Sequence, residues 1–310
     1  MYLACDRFRG GLEFRNAKSM FVLWSTVLEL ESCCQDHFDR CETVVRMRKA
    51  STAMSSTIRC LKVLELLAEE PFELSFSDIA AKLNIPKASA HRLCTTLIEA
   101  NLITQEPATR RYMLSSHALW VGSAYLRHSP IYRAAFFPMQ DLARQLPGTV
   151  QLGVLDRDGV LFIHSVGYAG APHAFADVGL RRSLNATASG KIFLAGMMPE
   201  EVDRVMEKCT EKYTHSTITS SAQMREELEQ VRRARYARNV EELLPGYWVL
   251  AAGVAAGPDD LPAAAISITL PLEEFSPEHE ANTAALVKDA ARKTSLQLGP
   301  NAVSRAVLAR

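Results

Sequence analysis

Residues 74–103 read LSFSDIAAKLNIPKASAHRLCTTLIEANLI, and the spacing of apolar residues along this stretch decides the architecture of the first half of the chain. Ser77 to Leu83 is a short predicted helix, Asn84 and Ile85 a tight turn, and Pro86 to about Ala100 a second helix. At 3.6 residues per turn, Ala90, Leu93, Cys94, Leu97 and Ile98 collect on one side of the second helix, where Ile79, Ala80 and Leu83 of the first can meet them. The other side carries Ala88, Arg92, Thr95 and Thr96, with Lys87 and Ser89 in the first turn. These are short or basic groups, suited to a phosphate backbone and base edges rather than to an apolar partner. Pro86 fits the first helical position, because the N–H it lacks would have no intrahelical acceptor there. The bland alternative is a surface helix with solvated charges, and the short helix before it and the hairpin after it argue for a helix-turn-helix.

The hairpin starts at Leu102 and Ile103, turns through Glu106-Pro107-Ala108-Thr109 with proline at the second position, and returns along Arg110 to Leu114. A two-stranded wing with Arg110 and Arg111 at its tip would lie against DNA backbone or minor groove. A preceding helix over Ser56 to Glu70 is expected to brace this pair, with Ile58, Leu61, Leu64 and Leu67 as its buried stripe and Pro71 ending it.

The chain has 310 residues, 48% hydrophobic and 23% charged, which is ample for two cored domains and ordinary for a soluble protein. A net charge of zero argues against a general nucleic-acid coat, yet from Lys82 to Ile98 the bases Lys82, Lys87, His91 and Arg92 stand without an acid. Seven cysteines, an odd number without a regular framework, point to a reducing compartment, and Cys60 and Cys94 fall on apolar helix faces. The longest uncharged apolar-rich run, Ser19 to Leu28, is shorter than the roughly 20 residues a membrane span needs. With no cleavable signal pattern, a cytoplasmic location is expected.

Residues 1–52 show no sustained helical or strand period and are expected to be an unstructured or non-native extension, with Met47 or Met54 the functional start. Cys33, Cys34, His37 and Cys41 supply four soft ligands there, but the spacing matches no regular zinc pattern, so no metal is expected. Arg46, Arg48 and Lys49 form a small basic run, read as solvated charge or as an arm touching DNA. Ser115 to His128 reads as a connecting helix whose stripe of Leu119, Trp120, Gly122, Tyr125 and Leu126 is too apolar for a lone linker; a two-fold partner or the chain's own second domain would cover it.

From Ile131 the pattern changes. A helix through Met139 and Leu146 leads to strands over Val150–Leu155 and Val160–Val166, joined by a turn in which Gly159 supplies a positive φ. Helices near Ser189–Met197, Pro199–Cys209 and Ser221–Tyr236, strands near Trp248–Ala255 and Ala263–Leu270, and a closing helix over Pro277–Leu298 complete an α+β sheet domain. The closing helix fits the spacing of Ala284, Leu286, Ala290 and Leu296 only loosely. Asn185 to Ala195, NATASGKIFLA, runs small residues into a helix start, where free N–H groups favour a carboxylate or phosphate. It is no phosphate loop, since no glycine stands five residues before Gly190 and Ile192 replaces the required hydroxyl. Nor is Ser189 flanked like a hydrolase nucleophile, and on spacing alone a close-packed capping turn explains the stretch better than a binding site does.

These residues, in this order, resemble the IclR family of transcriptional regulators: Ile85-Pro86-Lys87 and His91-Arg92-Leu93, Asn185 to Ala195, Arg235-Tyr236 with Glu241-Glu242, Gly246, Leu250-Ala251-Ala252 and Ala264 to Ile268. The resemblance covers about Ala53 to Gly299. It implies a winged helix-turn-helix over 53–115, a linker helix over 116–130, a GAF-like α/β effector-binding domain over 131–300 and a tail over 301–310. It implies further a homodimer or homotetramer on a palindromic operator, no cofactor, and a small organic acid as effector. DNA contact would come from Lys87, Ala88, Ser89, His91, Arg92, Thr95, Arg110 and Arg111, and the effector pocket from Ala188, Ser189, Asn239, Val249, Ser267 and Thr269. Ala88 and Ser89 are smaller than the Ser-Thr pair common in the family, Asn239 replaces a common acid, Val249 a polar or polarizable group in some relatives, and Gly253 a usual proline. Losing a carboxylate while keeping two hydroxyls and a helix start suits an anion, and a valine wall suits an apolar or aromatic body.

Two other classes compete. An enzyme would use His164, His173 or Ser189, but no acid, base and nucleophile form a recognisable constellation. A metal or redox sensor would use Cys33, Cys34 and Cys41.

Overall fold

The computed structural model describes residues 56–69, 71–167, 178–209, 211–254 and 262–298. They divide into two compact units, one ending at Val121 and the other beginning at Gly122.

In the first unit, α1 (Ser56–Leu67), α2 (Phe76–Leu83) and α3 (Lys87–Glu99) precede a hairpin of β1 (Ile103–Gln105) and β2 (Tyr112–Leu114). Ser75 and Asp78 cap α2 reciprocally: the Asp78 N–H donates to Ser75 Oγ at 3.2 Å, and the Ser75 N–H to Asp78 Oδ2 at 2.9 Å. Asn84 then takes a left-handed conformation, φ 51°, which reverses the chain between the helices. Pro86 caps α3 rather than occupying its first turn, so it closes the turn with its fixed φ and the helix begins one residue later. The core joins Val63, Leu67, Ile79, Ala90, Leu93, Cys94, Leu97, Ile103 and Tyr112, each such aliphatic side chain stabilising by roughly 1.5–3 kcal/mol. Burial pushes the Cys94 thiol up to about 11.

The expected stripes need correction at their edges. Ile58 and Leu61 are 47% and 56% exposed, because α1 turns Cys60, Val63 and Leu67 inward instead. Ile98 is 38% exposed, since Leu97 takes the inward position at the end of α3.

The helix α4 (Ser116–His128) has no buried residue, and the division between the units falls inside it. In the second unit follow α5 (Pro130–Gln145), β3 (Thr149–Asp156), β4 (Gly159–Val166), β5 (Arg181–Ser183), α6 (Ala188–Ala195), α7 (Pro199–Met206), α8 (Ser221–Ala234), β6 (Ala237–Val240), β7 (Tyr247–Val254), β8 (Ala264–Pro271) and α9 (Pro277–Leu298). The six strands form one sheet in the order β5-β4-β3-β8-β7-β6, antiparallel throughout. Central strand β8 alternates Ile266, Ile268 and Leu270 toward α5 and α9 with Ala265, Ser267 and Thr269 toward α6. Helices therefore cover both faces of the sheet, consistent with an α+β domain.

In the β3–β4 turn the positive φ belongs to Arg157, at 53°, not to Gly159. Gly159 answers a different demand: a Cβ there would lie 2.9 Å from the Arg182 carbonyl oxygen on the neighbouring strand. Strands β5 and β6 are too short, at three and four residues, to carry a period in the sequence, and they escaped it. In α9 the inward residues are Ala284, Val287, Ala290, Ala291 and Leu298, with buried Thr283 and Thr294 among them, while Leu296 is 70% exposed. Among the described residues no helix is long and apolar enough to cross a membrane.

Candidate functional site

Two surfaces carry the chemistry, one in each unit. On α3, Lys87, Ala88, His91, Arg92 and Thr95 are exposed and Ser89 is half-buried. Ala88, Arg92 and Thr95 share the side opposite Ala90, Leu93, Cys94 and Leu97, with Lys87 and Ser89 in the first turn and His91 at the edge. Phe76 meets His91 edge-on at 6.2 Å between ring centroids, so α2 orients the imidazole. The Thr95 and Thr96 hydroxyls donate to the carbonyls of His91 and Arg92, each at 3.1 Å, which leaves oxygen lone pairs and methyl groups outward. No side chain caps the start of α3, so its first N–H groups stand ready for an oxygen ligand.

The wing arginines differ. Arg110 occupies the turn with φ 58°, held by Gln105 Nε2 donating to its carbonyl at 2.9 Å, and its side chain is exposed. Arg111 reaches back: its Nη1 donates to the Glu73 carbonyl at 3.2 Å, tying the wing to the segment before α2. Ser75 hydrogen bonds, with Arg111 and Lys82 contributing, hold the Asp78 carboxyl below its ordinary range.

The second surface is a small cavity of about 40 Å³ against the α6 face of the sheet. Ala188, Ser189, Asn239, Val249, Ser267 and Thr269 all line it, so β6, β7, β8 and the first turn of α6 converge there. Reading from sequence missed Gln151, Phe162, Arg182, Leu243, Leu244 and Tyr247, which line the same space. Gln151 pairs directly with Ser267 across β3 and β8, a neighbour visible only once the register is known.

The polar residues here are buried: Ser189 is 1%, Ser267 2%, Thr269 4% and Gln151 5% exposed. Ser189 Oγ has no hydrogen-bond partner among the described residues. Thr187 caps α6 by accepting the Gly190 N–H at 3.0 Å, and its own hydroxyl donates to the Ser183 carbonyl at 2.9 Å. The N–H groups of Ala188 and Ser189, in that first turn, have no intrahelical acceptor. Asn239 borders the cavity, but its amide is committed to backbone: Nδ2 donates to the Ala186 carbonyl at 2.6 Å and Oδ1 accepts the Glu242 N–H at 3.1 Å.

Gly190 serves packing rather than ligand approach, because a Cβ there would lie 2.1 Å from the Leu184 carbonyl oxygen. Lys191, 1% exposed, turns away from the cavity and bridges Glu242 at 2.6 Å, Glu227 at 2.9 Å and the Arg238 carbonyl at 2.8 Å. Burial pushes the Glu242 carboxyl up despite the opposing pull of Lys191.

His164 stacks on Phe136 and meets Tyr132 edge-on on the face away from this cavity, and burial lowers its pKa. It forms no catalytic set with Ser189. His173, Cys33, Cys34, His37, Cys41, Arg46, Arg48 and Lys49 lie outside the described residues.

Residues 56–107 match the IclR helix-turn-helix domain, and residues 123–296 match the C-terminal domain of the bacterial transcriptional regulator IclR. The chain is 29% identical over 252 residues to the HTH-type transcriptional regulator KdgR of Escherichia coli, covering 81% of this chain and 95% of that one. It is 32% identical over 251 residues to the glycerol operon regulatory protein of Streptomyces coelicolor, covering 79% and 97%. An IclR homolog from Microbacterium hydrocarbonoxydans, solved in complex with 4-hydroxybenzoate, shares the fold with a TM-score of 0.67 at 23% identity, over 79% of this chain and 99% of that one. These relatives regulate transcription and are not enzymes, and a helix-turn-helix of this kind has a DNA operator as its partner. The chain belongs to the IclR family of transcriptional regulators.

Proposed function

We propose that this regulator reads its operator through Lys87, Ala88, Ser89, His91, Arg92 and Thr95, steadied by Arg110 and Arg111, and that a small carboxylic acid with an apolar or aromatic part changes its hold on DNA. The observation that carries the effector half is Ser189: a buried hydroxyl without a partner, beside a helix start and facing an otherwise largely apolar cavity. An unpaired buried hydroxyl costs about 1–3 kcal/mol, which a carboxylate oxygen recovers on binding. Phe162, Leu243, Leu244 and Val249 supply walls for the apolar body. The 4-hydroxybenzoate bound by the Microbacterium relative has this chemistry.

In this reading 53–115 is the DNA-binding domain, 116–130 the linker and 131–300 the effector domain. The operator is palindromic and the protein a homodimer or homotetramer. The exposure of Leu119, 74%, and Trp120, 62%, on α4 supports a self-complementary contact. Calorimetric titration with a panel of aliphatic and aromatic carboxylic acids tests the effector half. Saturable heat with at least one acid, lost in Ser189→Val, is expected; absence of heat or thermal shift with every acid would refute it.

A further inference from the structure

We propose that Arg182 is the ionic anchor for the ligand's carboxylate in this cavity, an assignment that rests on the effector reading above. Adjacent residues on β5 point to opposite faces, and the two arginines there have opposite fates. Arg181 pairs with Asp156 across the neighbouring hairpin. Arg182 lies directly opposite Val160, whose side chain belongs to the core on the α6 face, so register sends Arg182 to that same face. There it lines the cavity, half-buried, and forms no ion pair with any described residue.

Among the described residues lining the cavity, Arg182 is the only charged one. A guanidinium beside Phe162, Leu180 and Leu244 has lost part of its hydration and gained no counter-charge among the described residues, so an anion entering the space is bound more strongly than a neutral molecule of the same shape. The planar fork suits a carboxylate in particular, since it can donate two parallel hydrogen bonds to the two oxygens. Ser189 Oγ, buried and unpartnered on the same lining, is an independent mark of a polar ligand group. The hydroxyl does not distinguish an acid from its amide, and the helix start does so only through a partial charge. Arg182 does, and it therefore sets the ligand class as an ionised acid rather than an amide, ester or sugar.

The test titrates the full chain with carboxylic acids and their carboxamides, 4-hydroxybenzoate against 4-hydroxybenzamide among them, for the unaltered protein, Arg182→Met and Arg182→Lys. The unaltered protein should prefer acid over amide. Arg182→Met should bind the acid at least about tenfold more weakly, with the acid-to-amide preference falling toward one, and Arg182→Lys, which keeps the charge but not the fork, should fall between the two. The lysine variant separates charge from shape if the methionine variant folds poorly. An acid preference that survives in Arg182→Met, or a lysine variant that loses it as completely as the methionine variant, would overturn the assignment while leaving the effector reading standing. If no acid binds the unaltered protein, the effector reading itself falls, and this assignment with it.

Discussion

Asn239 joins two distant segments: its amide nitrogen donates to the Ala186 carbonyl at 2.6 Å while its amide oxygen accepts the Glu242 N–H at 3.1 Å. One side chain thus fixes the loop leading into α6 and the turn after β6. Only an amide can do both, because a carboxylate has no proton for the carbonyl. The common acid of the family is therefore not interchangeable here. Asn239→Asp should destabilise the second unit by about 1–3 kcal/mol at neutral pH, measured by chemical denaturation. A neutral effect would mean the amide bonds contribute nothing net.

Lys191 and Glu242 form a buried pair, and breaking it should be severe. Lys191→Met leaves two carboxylates facing each other and should cost about 3–5 kcal/mol, with Glu242→Gln in the same background recovering part. The sign with pH follows from the raised Glu242 carboxyl. A folded carboxyl raised above its unfolded value favours the native state below the ordinary carboxylate range, and that contribution is lost as pH rises through the folded value. Without Lys191 the folded value rises further, so the variant should lose more stability at pH 8 than at pH 5. Equal losses at both pH values would contradict the pairing.

Gly190→Ala should be among the worst small substitutions in the chain. The added carbon meets backbone at Leu184, 2.1 Å from oxygen and 2.5 Å from Cα, so no side-chain rotation relieves it. A loss of roughly 2–4 kcal/mol and weakened ligand binding are expected from shifting the start of α6. Thermal unfolding checks the first and titration the second.

On DNA, Arg92→Ala should cost about 1–3 kcal/mol on operator and less on random sequence. Arg110→Ala should weaken both equally and reduce the salt slope by about one. Arg111→Ala should act through the wing's attachment to Glu73 as well as through charge. Anisotropy titrations over a range of salt separate the three.

The first unit was legible in the sequence because its period was uninterrupted: Ile79 and Ala80 face Ala90, Leu93 and Cys94 as the 3.6-residue spacing requires. The stripe of α1 holds at Leu64 and Leu67 and fails at Ile58 and Leu61, because these are as apolar as Val63 and composition alone cannot tell an inward residue from an uncovered one. In the second unit the resemblance to the IclR family led to the six cavity residues, whereas Arg182 and Gln151 depend on strand register and on a three-residue strand with no period of its own. Gly159 was expected to supply a positive φ, and Gly190 to sit in a close-packed capping turn, which its contact with Leu184 supports. Both are spacing residues: Gly159 against a strand more than twenty residues on that meets it only when the sheet forms, Gly190 against Leu184 within the same turn.

The central claim is that the cavity and the recognition helix belong to one regulator. Its most direct test is binding of the full chain to the DNA upstream of its own gene, with and without the acid identified by calorimetry. The account predicts specific retardation at concentrations that leave random DNA free, and a change of at least about fivefold in apparent affinity when the acid is present. Equal retardation of random DNA, or an operator affinity unmoved by an acid that demonstrably occupies the cavity, would contradict it.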